Sequence, residues 1–281
     1  MSVHTRQRRR AVLIAPASDQ RKVSKALDSD ADEVVLDLED AVVPAAKAEA
    51  RTVIRRAVSA LPSNRTVSIR INALTTQWAT EDLNLCVALG ERVSSIVLPK
   101  AETAEQISEV SAQLAETDIG VQALIETPLG TANVRSIAIA NPRVESLVLG
   151  YADLGAALGR SAEAGPESWL THQDAVLTAA RIAGIHAIDG PWLAVTDTPA
   201  FRRWIRWVDD LGFDGKWVIH PSQIDTVTTV FTPSAAALVH AQRVLRALQR
   251  AESDGAGAVQ LDGKMLDEAV AVAARRILAR Q

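Results

Sequence analysis

The chain has 281 residues, of which 48% are hydrophobic and 23% are charged, as is typical of a globular protein. Its net charge of −4 argues against a general nucleic-acid binder, which is usually basic. No apolar run reaches the roughly 18 residues that a membrane span needs, and no signal-peptide segment follows the basic start of the sequence. The single cysteine, Cys86, excludes an internal disulfide and fits a reducing compartment. We therefore expect a cytoplasmic protein that binds neither nucleic acid nor membranes.

Short apolar runs alternate with longer amphipathic or alanine-rich segments over most of the chain. The apolar runs predict strands near 11–16, 33–38, 66–71, 94–98, 120–125, 145–149, 185–189 and 216–219. The segments between them predict helices near 18–28, 45–60, 79–89, 103–115, 130–140, 168–183 and 199–211. Most strand runs are continuously apolar, which indicates strands buried on both faces of a parallel sheet. Eight successive βα units predict an α/β protein with a (β/α)8 barrel, whose active sites lie at the carboxyl ends of the strands.

A doubly wound open sheet is the alternative fold. Such a sheet usually carries a glycine-rich turn after its first strand when it binds a dinucleotide. Here the first strand ends in Ala15-Pro16-Ala17-Ser18, without glycine. The barrel is therefore favoured.

Two further helical segments follow the eighth strand, near 234–252 and 264–280, with a glycine-rich segment at 253–263 between them. We predict a catalytic barrel over residues 1–233 and a C-terminal helical extension over residues 234–281. An extension on a mobile linker can act as a lid or reach a neighbouring subunit.

Two isolated acids stand where predicted strands stop, Glu126 after the fifth and Asp153 after the sixth. A charge at the end of a buried strand is costly unless it is paired or binds a metal. Adjacent strand ends in a barrel are close together, so the two carboxylates can share one cation. Carboxylate, substrate and water oxygens around one ion form the pattern typical of Mg²⁺. We predict that both acids are metal ligands; the alternative for Asp153 is a cap on the following helix.

Further charges follow the second, third and fourth strands. Arg70 is predicted to clamp a substrate carboxylate, and a salt bridge to Asp37 or Glu39 is the alternative. Asp37 and Glu39 are expected to orient water, Arg70 or Lys100. Lys100 is interpreted as a supporting charge, with a Schiff-base nucleophile as the alternative. We count Arg70 and Asp37 as catalytic candidates, and Arg70, Glu39 and Lys100 as substrate-binding candidates.

One basic cluster lies near the start of the chain and comprises Arg6, Arg8, Arg9 and Arg10. It is interpreted either as a solvated arm or as a phosphate contact for a nucleotide-like ligand. His220 follows the eighth strand, where it either reaches the pocket or fixes a turn.

Eight stretches then stand out together, in order, over nearly the whole chain. They are VVLDLEDAVVPAAKAEAR (34–51), SIRINAL (68–74), IVLPKAE (96–102), ALIETPLG (123–130), LVLGYADLGAALGR (147–160), HAIDGPW (186–192), LGFDGKWVIHPSQI (211–224) and FTPS (231–234). This ordered set resembles the citrate lyase beta-subunit/malyl-CoA lyase family of CoA-ester lyases, in the HpcH/HpaI aldolase superfamily.

The resemblance implies a (β/α)8 barrel that binds Mg²⁺, with Mn²⁺ as a substitute, through Glu126 and Asp153. It also implies that Arg70 contacts the substrate's oxyanion. The expected reaction cleaves or forms the carbon–carbon bond of a 3-hydroxyacyl-CoA, with an acyl-CoA and a small 2-keto acid such as glyoxylate, pyruvate or oxaloacetate as partners. CoA is then part of the substrate. We assign CoA contacts to Arg10 and Lys25, and a substrate contact to Ala152.

The C-terminal extension carries a further implied residue. In lyases of this family an aspartate in a Met-Ile-Asp motif reaches the site of the neighbouring subunit, and Met265-Leu266-Asp267 is similar to it. The resemblance therefore implies that Asp267 is an acid/base residue acting in trans within a homo-oligomer, a trimer or hexamer. A helix cap or a surface aspartate is the alternative.

The chain departs from the family pattern at two places. Gly150-Tyr151-Ala152-Asp153 stands where many members read Gly-Ala-Glu-Asp, and Pro16-Ala17 stands where many have Pro-Gly. These changes are expected to alter how the keto acid and CoA are held. Three other functions stay open: a thioesterase on malyl-CoA-like esters, a metal-dependent aldolase that does not use CoA, and a non-catalytic subunit of a lyase complex.

Overall fold

The structure is a computed structural model that describes residues 8–62, 65–161, 163–253, 255 and 259–280. Arg6 of the basic cluster lies outside these residues, as do positions 254 and 256–258 of the glycine-rich segment. The chain divides into two compact units, Met1–Thr228 and Thr229–Gln281. Within the described residues, no helix combines the length and apolarity required to cross a membrane.

The first unit contains a closed barrel of eight parallel strands that pair in chain order. The strands are β1 (Ala11–Pro16), β2 (Glu33–Asp37), β3 (Val67–Arg70), β4 (Ser95–Leu98), β5 (Gly120–Ile125), β6 (Val144–Leu149), β7 (His186–Asp189) and β8 (Gly215–Val218). β8 closes the barrel by pairing with β1, where Ala11 lies opposite Lys216. The predicted barrel is confirmed, because continuous apolar runs do mark strands buried on both faces.

Helices flank the strands of this unit. They are α1 (Gln20–Leu27), α2 (Lys47–Ser59), α3 (Ala79–Leu89), α4 (Ala104–Gln113), α5 (Pro128–Ala132), α6 (Val134–Ala138), α7 (Tyr151–Leu158), α8 (Leu170–Ala183), α9 (Pro199–Leu211) and α10 (Ile224–Phe231). The helix predicted over 130–140 is instead two short helices, α5 and α6. Neither α7 nor α10 was predicted, because α7 has only eight residues and α10 is rich in β-branched residues of low helix propensity.

The middle of the barrel interior is apolar. It is filled by Val12, Val35, Val97, Leu124, Val148, Ile188 and Trp217. One such residue comes from nearly every strand, because alternate side chains of a strand point to the same face. This layer separates two polar ends.

A buried polar layer closes the amino end of the barrel. Arg9 Nε donates to Glu33 Oε2 at 2.6 Å, and Ser68 Oγ donates to Glu33 Oε1. Gln122 Nε2 donates to Ser95 Oγ at 2.7 Å. Each of these buried groups therefore has a partner, as stable burial requires. Arg9 lies within this layer, so the interpretation of the basic cluster as a solvated arm is wrong for this residue.

The strand register brings the predicted site residues to the opposite end. Asp37 pairs with Arg70 across β2 and β3, and Ile125 pairs with Leu149 across β5 and β6. Glu126 and Gly150, the next residues after those strands, consequently leave the barrel side by side. The carboxyl end of the barrel is therefore where the charged residues meet.

The second unit contains two helices, α11 (Ala235–Ser253) and α12 (Glu268–Ala279), and a hairpin of β9 (Val259–Leu261) and β10 (Lys264–Leu266). Ala241, Val244, Leu266 and Ala274 form its buried apolar cluster. The helix predicted from 264 begins only at Glu268. The cause is the turn at Asp262-Gly263, where φ is 50° and 77°, a conformation that a tight hairpin requires.

Gly215 provides a test of barrel closure. A Cβ at Gly215 would lie 1.7 Å from the backbone oxygen of Arg9, whereas a Cβ at Gly120 would meet only the movable end of Glu145. We expect Gly215→Ala to lower the free energy of unfolding by about 3 kcal/mol, the upper end of the usual overpacking cost. Gly120→Ala should cost clearly less. Urea unfolding measures both, and equal losses would contradict this account of closure.

Candidate active site

Glu126 and Asp153 reach the carboxyl end of the barrel in different ways. Glu126 follows β5 directly and is 5% exposed. Asp153 was predicted to end the sixth strand, but β6 stops at Leu149 and Asp153 lies in the first turn of α7. Gly150 holds the N-cap position of α7, so Asp153 is not the helix cap that was considered as its alternative.

Lys100 connects the two acids. Its Nζ lies 3.1 Å from Asp153 Oδ2, 3.9 Å from Glu126 Oε1 and 2.6 Å from Glu39 Oε1. Its backbone N–H donates to Glu126 Oε1 at 2.9 Å. Lys100 has a φ of 48°, a left-handed conformation that is strained for a residue other than glycine. The predicted metal ligands therefore converge on one point, which the lysine ammonium touches.

Arg70 forms the ion pairs that were considered as its alternative. Its Nε and Nη2 donate to the two oxygens of Asp37 at 2.7 and 2.6 Å, and its Nη1 lies 2.9 Å from Glu39 Oε2. The guanidinium also lies 5.9 Å from the centre of the Trp217 ring. An arginine has five N–H donors, so these three contacts leave two for a substrate.

Asp37 has no such spare capacity. Besides Arg70, its two oxygens accept from the backbone N–H groups of Glu39 and Ala41, at 2.9 and 3.2 Å. The side chain is fully buried. Four acceptor positions are thus filled, and Asp37 orients Arg70 instead of facing a substrate, which does not fit its selection as a catalytic candidate.

The charges of this cluster shift the pKa values of its members. Burial raises the pKa of Glu126 to about 8; the charge of Glu39 adds to the shift, and Lys100 and Arg70 oppose it. Burial lowers the pKa of Lys100, but its hydrogen bond to Glu39 and the charges of Glu39 and Glu126 outweigh burial and raise it. A protonated ammonium is not a Schiff-base nucleophile. The geometry therefore favours the interpretation of Lys100 as a positive charge that holds the neighbouring carboxylates in place.

The cluster has an excess of negative charge. Among the described residues, the carboxyl groups of Asp37, Glu39, Glu126 and Asp153 pair with two cations, Arg70 and Lys100, so even with Glu126 protonated three carboxylates face two cations. A fifth carboxyl group, that of Asp40, is mostly exposed and lies 3.9 Å from Lys100 Nζ. A divalent cation would offset this excess.

The oxygen ligands fit a hard divalent cation held jointly with a substrate. Glu39 Oε2 is buried, and its single contact, the ion pair with Arg70 Nη1 at 2.9 Å, lacks the alignment of a hydrogen bond, which leaves acceptor capacity beside the site. Among the described residues no group of three or more His, Cys, Asp or Glu side chains is arranged to hold a metal by itself. An ion held by two carboxylates alone would leave its other positions to substrate and water oxygens, the arrangement common for Mg²⁺.

The predicted CoA contacts lie away from this cluster. Arg10 precedes β1, at the amino end of the barrel, and its Nε and Nη2 donate to the two oxygens of Asp32 at 2.8 and 2.7 Å. Lys25 is exposed in the last turn of α1. The structure does not bring either residue to the carboxyl end, because sequence alone does not say which face of the barrel a basic side chain occupies.

The structure also places the three remaining candidates, Ala152, Asp267 and His220. Ala152 is exposed in the first turn of α7, beside Asp153. Asp267 belongs to the second unit, where it is the N-cap of α12 and accepts from the Val270 N–H at 3.2 Å. This cap is the alternative considered for Asp267. His220 likewise fixes a turn, because its Nδ1 accepts from the Ser222 N–H at 3.2 Å.

Sequence reasoning missed two features of the site. A Cβ at Gly150 would lie 2.6 Å from Glu126 Cβ, so this glycine is needed for the close approach of β5 and α7. In addition, the Tyr151 hydroxyl donates to Asp189, which pairs with the buried Lys216. The available signal was a lysine within an apolar strand, a placement that requires a buried partner.

The comparisons with known proteins agree with this fold. The model of the HpcH/HpaI aldolase/citrate lyase family matches residues 10–221, so the chain belongs to that family. A (3S)-malyl-CoA thioesterase of Cereibacter sphaeroides is 34% identical over 96% of this chain and 94% of that protein. An L-malyl-CoA/beta-methylmalyl-CoA lyase of Rhodobacter capsulatus is 33% identical over 92% of this chain and 90% of that protein.

A solved structure extends the comparison to the whole chain. CitE from Mycobacterium tuberculosis, solved with magnesium, acetoacetate and coenzyme A, is 32% identical and covers 98% of both chains with a TM-score of 0.80. The resemblance inferred from the motifs is thereby confirmed. The relatives include carbon–carbon lyases and a thioesterase.

The raised pKa of Glu126 predicts a pH dependence of stability in metal-free protein. The folded chain keeps a proton on Glu126 that the unfolded chain loses above its ordinary pKa of 4.5. Stability is therefore lost as the pH rises from 4.5 towards about 8. We expect Glu126→Gln to reduce this loss in urea unfolding with EDTA. The exposed control Glu109→Gln should leave it unchanged, and identical profiles for all three proteins would contradict the shift.

Proposed function

We propose that the chain is a Mg²⁺-dependent CoA-ester lyase that cleaves or forms the carbon–carbon bond of a malyl-CoA-like or citramalyl-CoA-like 3-hydroxyacyl-CoA. Its products would be an acyl-CoA and a 2-keto acid. The observation that carries the proposal is the convergence of Glu126 and Asp153 at the carboxyl end of the barrel, beside an oriented arginine, in a chain of this family.

Glu126 and Asp153 would hold the ion. Bound there, Mg²⁺ or Mn²⁺ would polarise the carbonyl group of the keto acid as a Lewis acid. The CitE structure with magnesium, acetoacetate and coenzyme A supports this assignment by similarity. Lys100 would keep the two carboxylates close together through its ammonium and its backbone N–H.

The first turn of α7 would bind the carboxylate of the keto acid. The first backbone N–H groups of a helix have no partner within the helix and favour anions. Gly150, at the N-cap, has no side chain with which to fill this position. Ala152 lies exposed in that turn, which agrees with its predicted contact with substrate.

Arg70 would stabilise the negative oxygen that forms during the reaction. Its two free N–H donors are oriented in advance by Asp37 and Glu39, so little reorganisation is needed when charge develops. In the synthetic direction a base removes a proton from the carbon next to the thioester. The resulting enolate carbon attacks the keto carbon, and the new hydroxyl group takes up a proton.

Asp267 is our candidate for that base, supplied by a neighbouring copy of the chain. Its carboxylate is exposed on the second unit, and Met265, two residues earlier, is 74% exposed. Both side chains are therefore accessible to a neighbouring copy of the chain. The proposal therefore includes a homo-oligomer in which this segment covers the neighbouring barrel.

A thioesterase is the second candidate function, because a (3S)-malyl-CoA thioesterase is 34% identical over nearly the whole chain. The same residues would then hold the substrate while water attacks the thioester carbonyl. Incubation with acetyl-CoA, glyoxylate and Mg²⁺, and separately with malyl-CoA, distinguishes the two. A condensed product supports the lyase, whereas free malate and CoA from malyl-CoA without glyoxylate support the thioesterase.

Removing either carboxylate should abolish metal-dependent turnover. We expect Glu126→Gln and Asp153→Asn to lower kcat/KM by at least about 10³-fold while the proteins stay folded, since the carbonyl loses its electrostatic activation. Calorimetric titration with Mn²⁺ should show that binding is lost in both variants. The surface variant Glu109→Gln, which also removes one carboxylate, should retain both properties. Normal Mn²⁺ binding by either site variant would disprove the assignment of ligands.

Asp267 can be tested without disturbing its helix cap. Asparagine and serine cap helices about as well as aspartate, so Asp267→Asn and Asp267→Ser remove the base but keep the cap. We expect both to slow the exchange of the acetyl-CoA methyl protons with D₂O, followed by NMR. Melting temperatures serve as the control. Exchange at the wild-type rate in both variants would mean that another residue is the base.

A further inference from the structure

A cavity of about 530 Å³ lies beside the first turn of α7. It is bounded by α7, by Arg160, Ser161, Ala164 and Trp169, by the loop 191–194 after β7, and by α9. Its size is within the range of pockets that bind small molecules. The proposed roles of Glu126, Asp153 and Arg70 do not use this space.

The walls of the cavity are largely apolar and aromatic. Trp169, Trp192 and Trp204 line it, together with the ring of Tyr151. Tyr151 packs edge-to-face against Trp169 and Trp204, with ring centres 4.8 and 5.4 Å apart. The α7 side is formed by small residues, among them Ala152 and Ala156. Such walls suit a hydrocarbon group.

A buried polar network holds these walls in place. Asp189 and Lys216 are both fully buried and form an ion pair of 2.5 Å. Trp204 Nε1 donates to Asp189 Oδ2 at 3.1 Å, and the Tyr151 hydroxyl donates to Asp189 Oδ1. Gln173 Nε2 donates to the Tyr151 hydroxyl at 2.9 Å. Both aromatic side chains are therefore fixed by hydrogen bonds on the side away from the cavity, and the cavity is formed in advance.

The cavity also begins next to the proposed metal ligand. Ala152 lines it, and Asp153 is the following residue, whose Cα is about 3.8 Å further along the backbone. Asp153 does not itself line the cavity, but a keto acid bound at the first turn of α7 in contact with Ala152, as proposed above, can extend its side group along the face of α7 that borders the cavity.

We propose that this cavity binds a branched alkyl or aromatic group carried by one of the two condensing substrates. This inference rests on the proposed lyase function, because that reaction brings a keto acid and an acyl-CoA together at Asp153. The hydrogen of glyoxylate or the methyl group of pyruvate would leave most of the space unfilled. The preferred substrate accordingly carries a larger apolar group.

Two substrate series identify which partner carries the group. In one series acetyl-CoA is combined with pyruvate, 2-ketobutyrate, 4-methyl-2-oxopentanoate and phenylpyruvate. In the other, glyoxylate is combined with acetyl-, butyryl-, isovaleryl- and phenylacetyl-CoA. We expect kcat/KM to rise about fourfold for each added methylene, the equivalent of about 0.8 kcal/mol, in one of the two series.

Ala156 and Ala157 supply a matched pair of variants. Both are exposed alanines of α7, but only Ala156 lines the cavity. Ala156→Leu should reduce the preference for the larger substrates by at least about tenfold, because a side chain then occupies the space. Ala157→Leu should leave the preference as it is in the wild type.

A binding measurement makes the test independent of turnover. Phenylacetate, which cannot condense, should quench the tryptophan fluorescence in a saturable way, since Trp169, Trp192 and Trp204 line the cavity. Ala156→Leu should weaken this binding and Ala157→Leu should not. Preference for the smallest substrates in both series, with no effect of Ala156→Leu and no binding of phenylacetate, would overturn the proposal. Binding that depends on Ala156, with no condensation of any pair, would instead support the cavity and overturn the lyase function.

Discussion

The carboxyl end of the barrel depends on two cations that hold four carboxylates together. Lys100 joins Glu39 and Asp153, and its backbone N–H fixes Glu126; Arg70 is clamped between Asp37 and Glu39. Burial, with a smaller contribution from the charge of Glu39, raises the pKa of Glu126. Because the carboxylates outnumber the cations, the cluster keeps a net negative charge. This charge suits it to a divalent cation, which would in turn suit it to an anionic substrate.

The buried charged groups at the two ends of the barrel differ in how completely they are paired. At the amino end Arg9, Glu33 and Gln122 satisfy one another within the protein, so that end contributes to stability. At the carboxyl end acceptor capacity remains on Glu39, and donors remain on Arg70. The apolar layer between them keeps the two polar sets apart. Stability and chemistry are thus divided between the ends, as in barrel enzymes generally.

The barrel could be predicted because most strands are nearly continuous apolar runs, which are typical of strands buried on both faces of a parallel sheet. The positions of Glu126 and Arg70 at the carboxyl ends of β5 and β3 could be predicted because a charge that ends such a run stands out. The start of α7 could not be predicted, since Gly150 at the N-cap gives no sequence signal for a helix start. Asp153 was therefore assigned to the end of the strand and not to the first turn of α7. The Tyr151–Asp189–Lys216 network depends on contacts between β7, β8 and α7, which no local pattern encodes. Arg10 was misjudged because local charge does not reveal which end of the barrel it occupies.

Anomalous diffraction from crystals of the protein soaked in Mn²⁺ shows directly whether Glu126 and Asp153 bind one divalent ion. We expect one strong anomalous peak bonded to an oxygen of each carboxylate, beside the Lys100 ammonium. A peak at another place, or none at a saturating Mn²⁺ concentration, would show that the two carboxylates do not hold the ion.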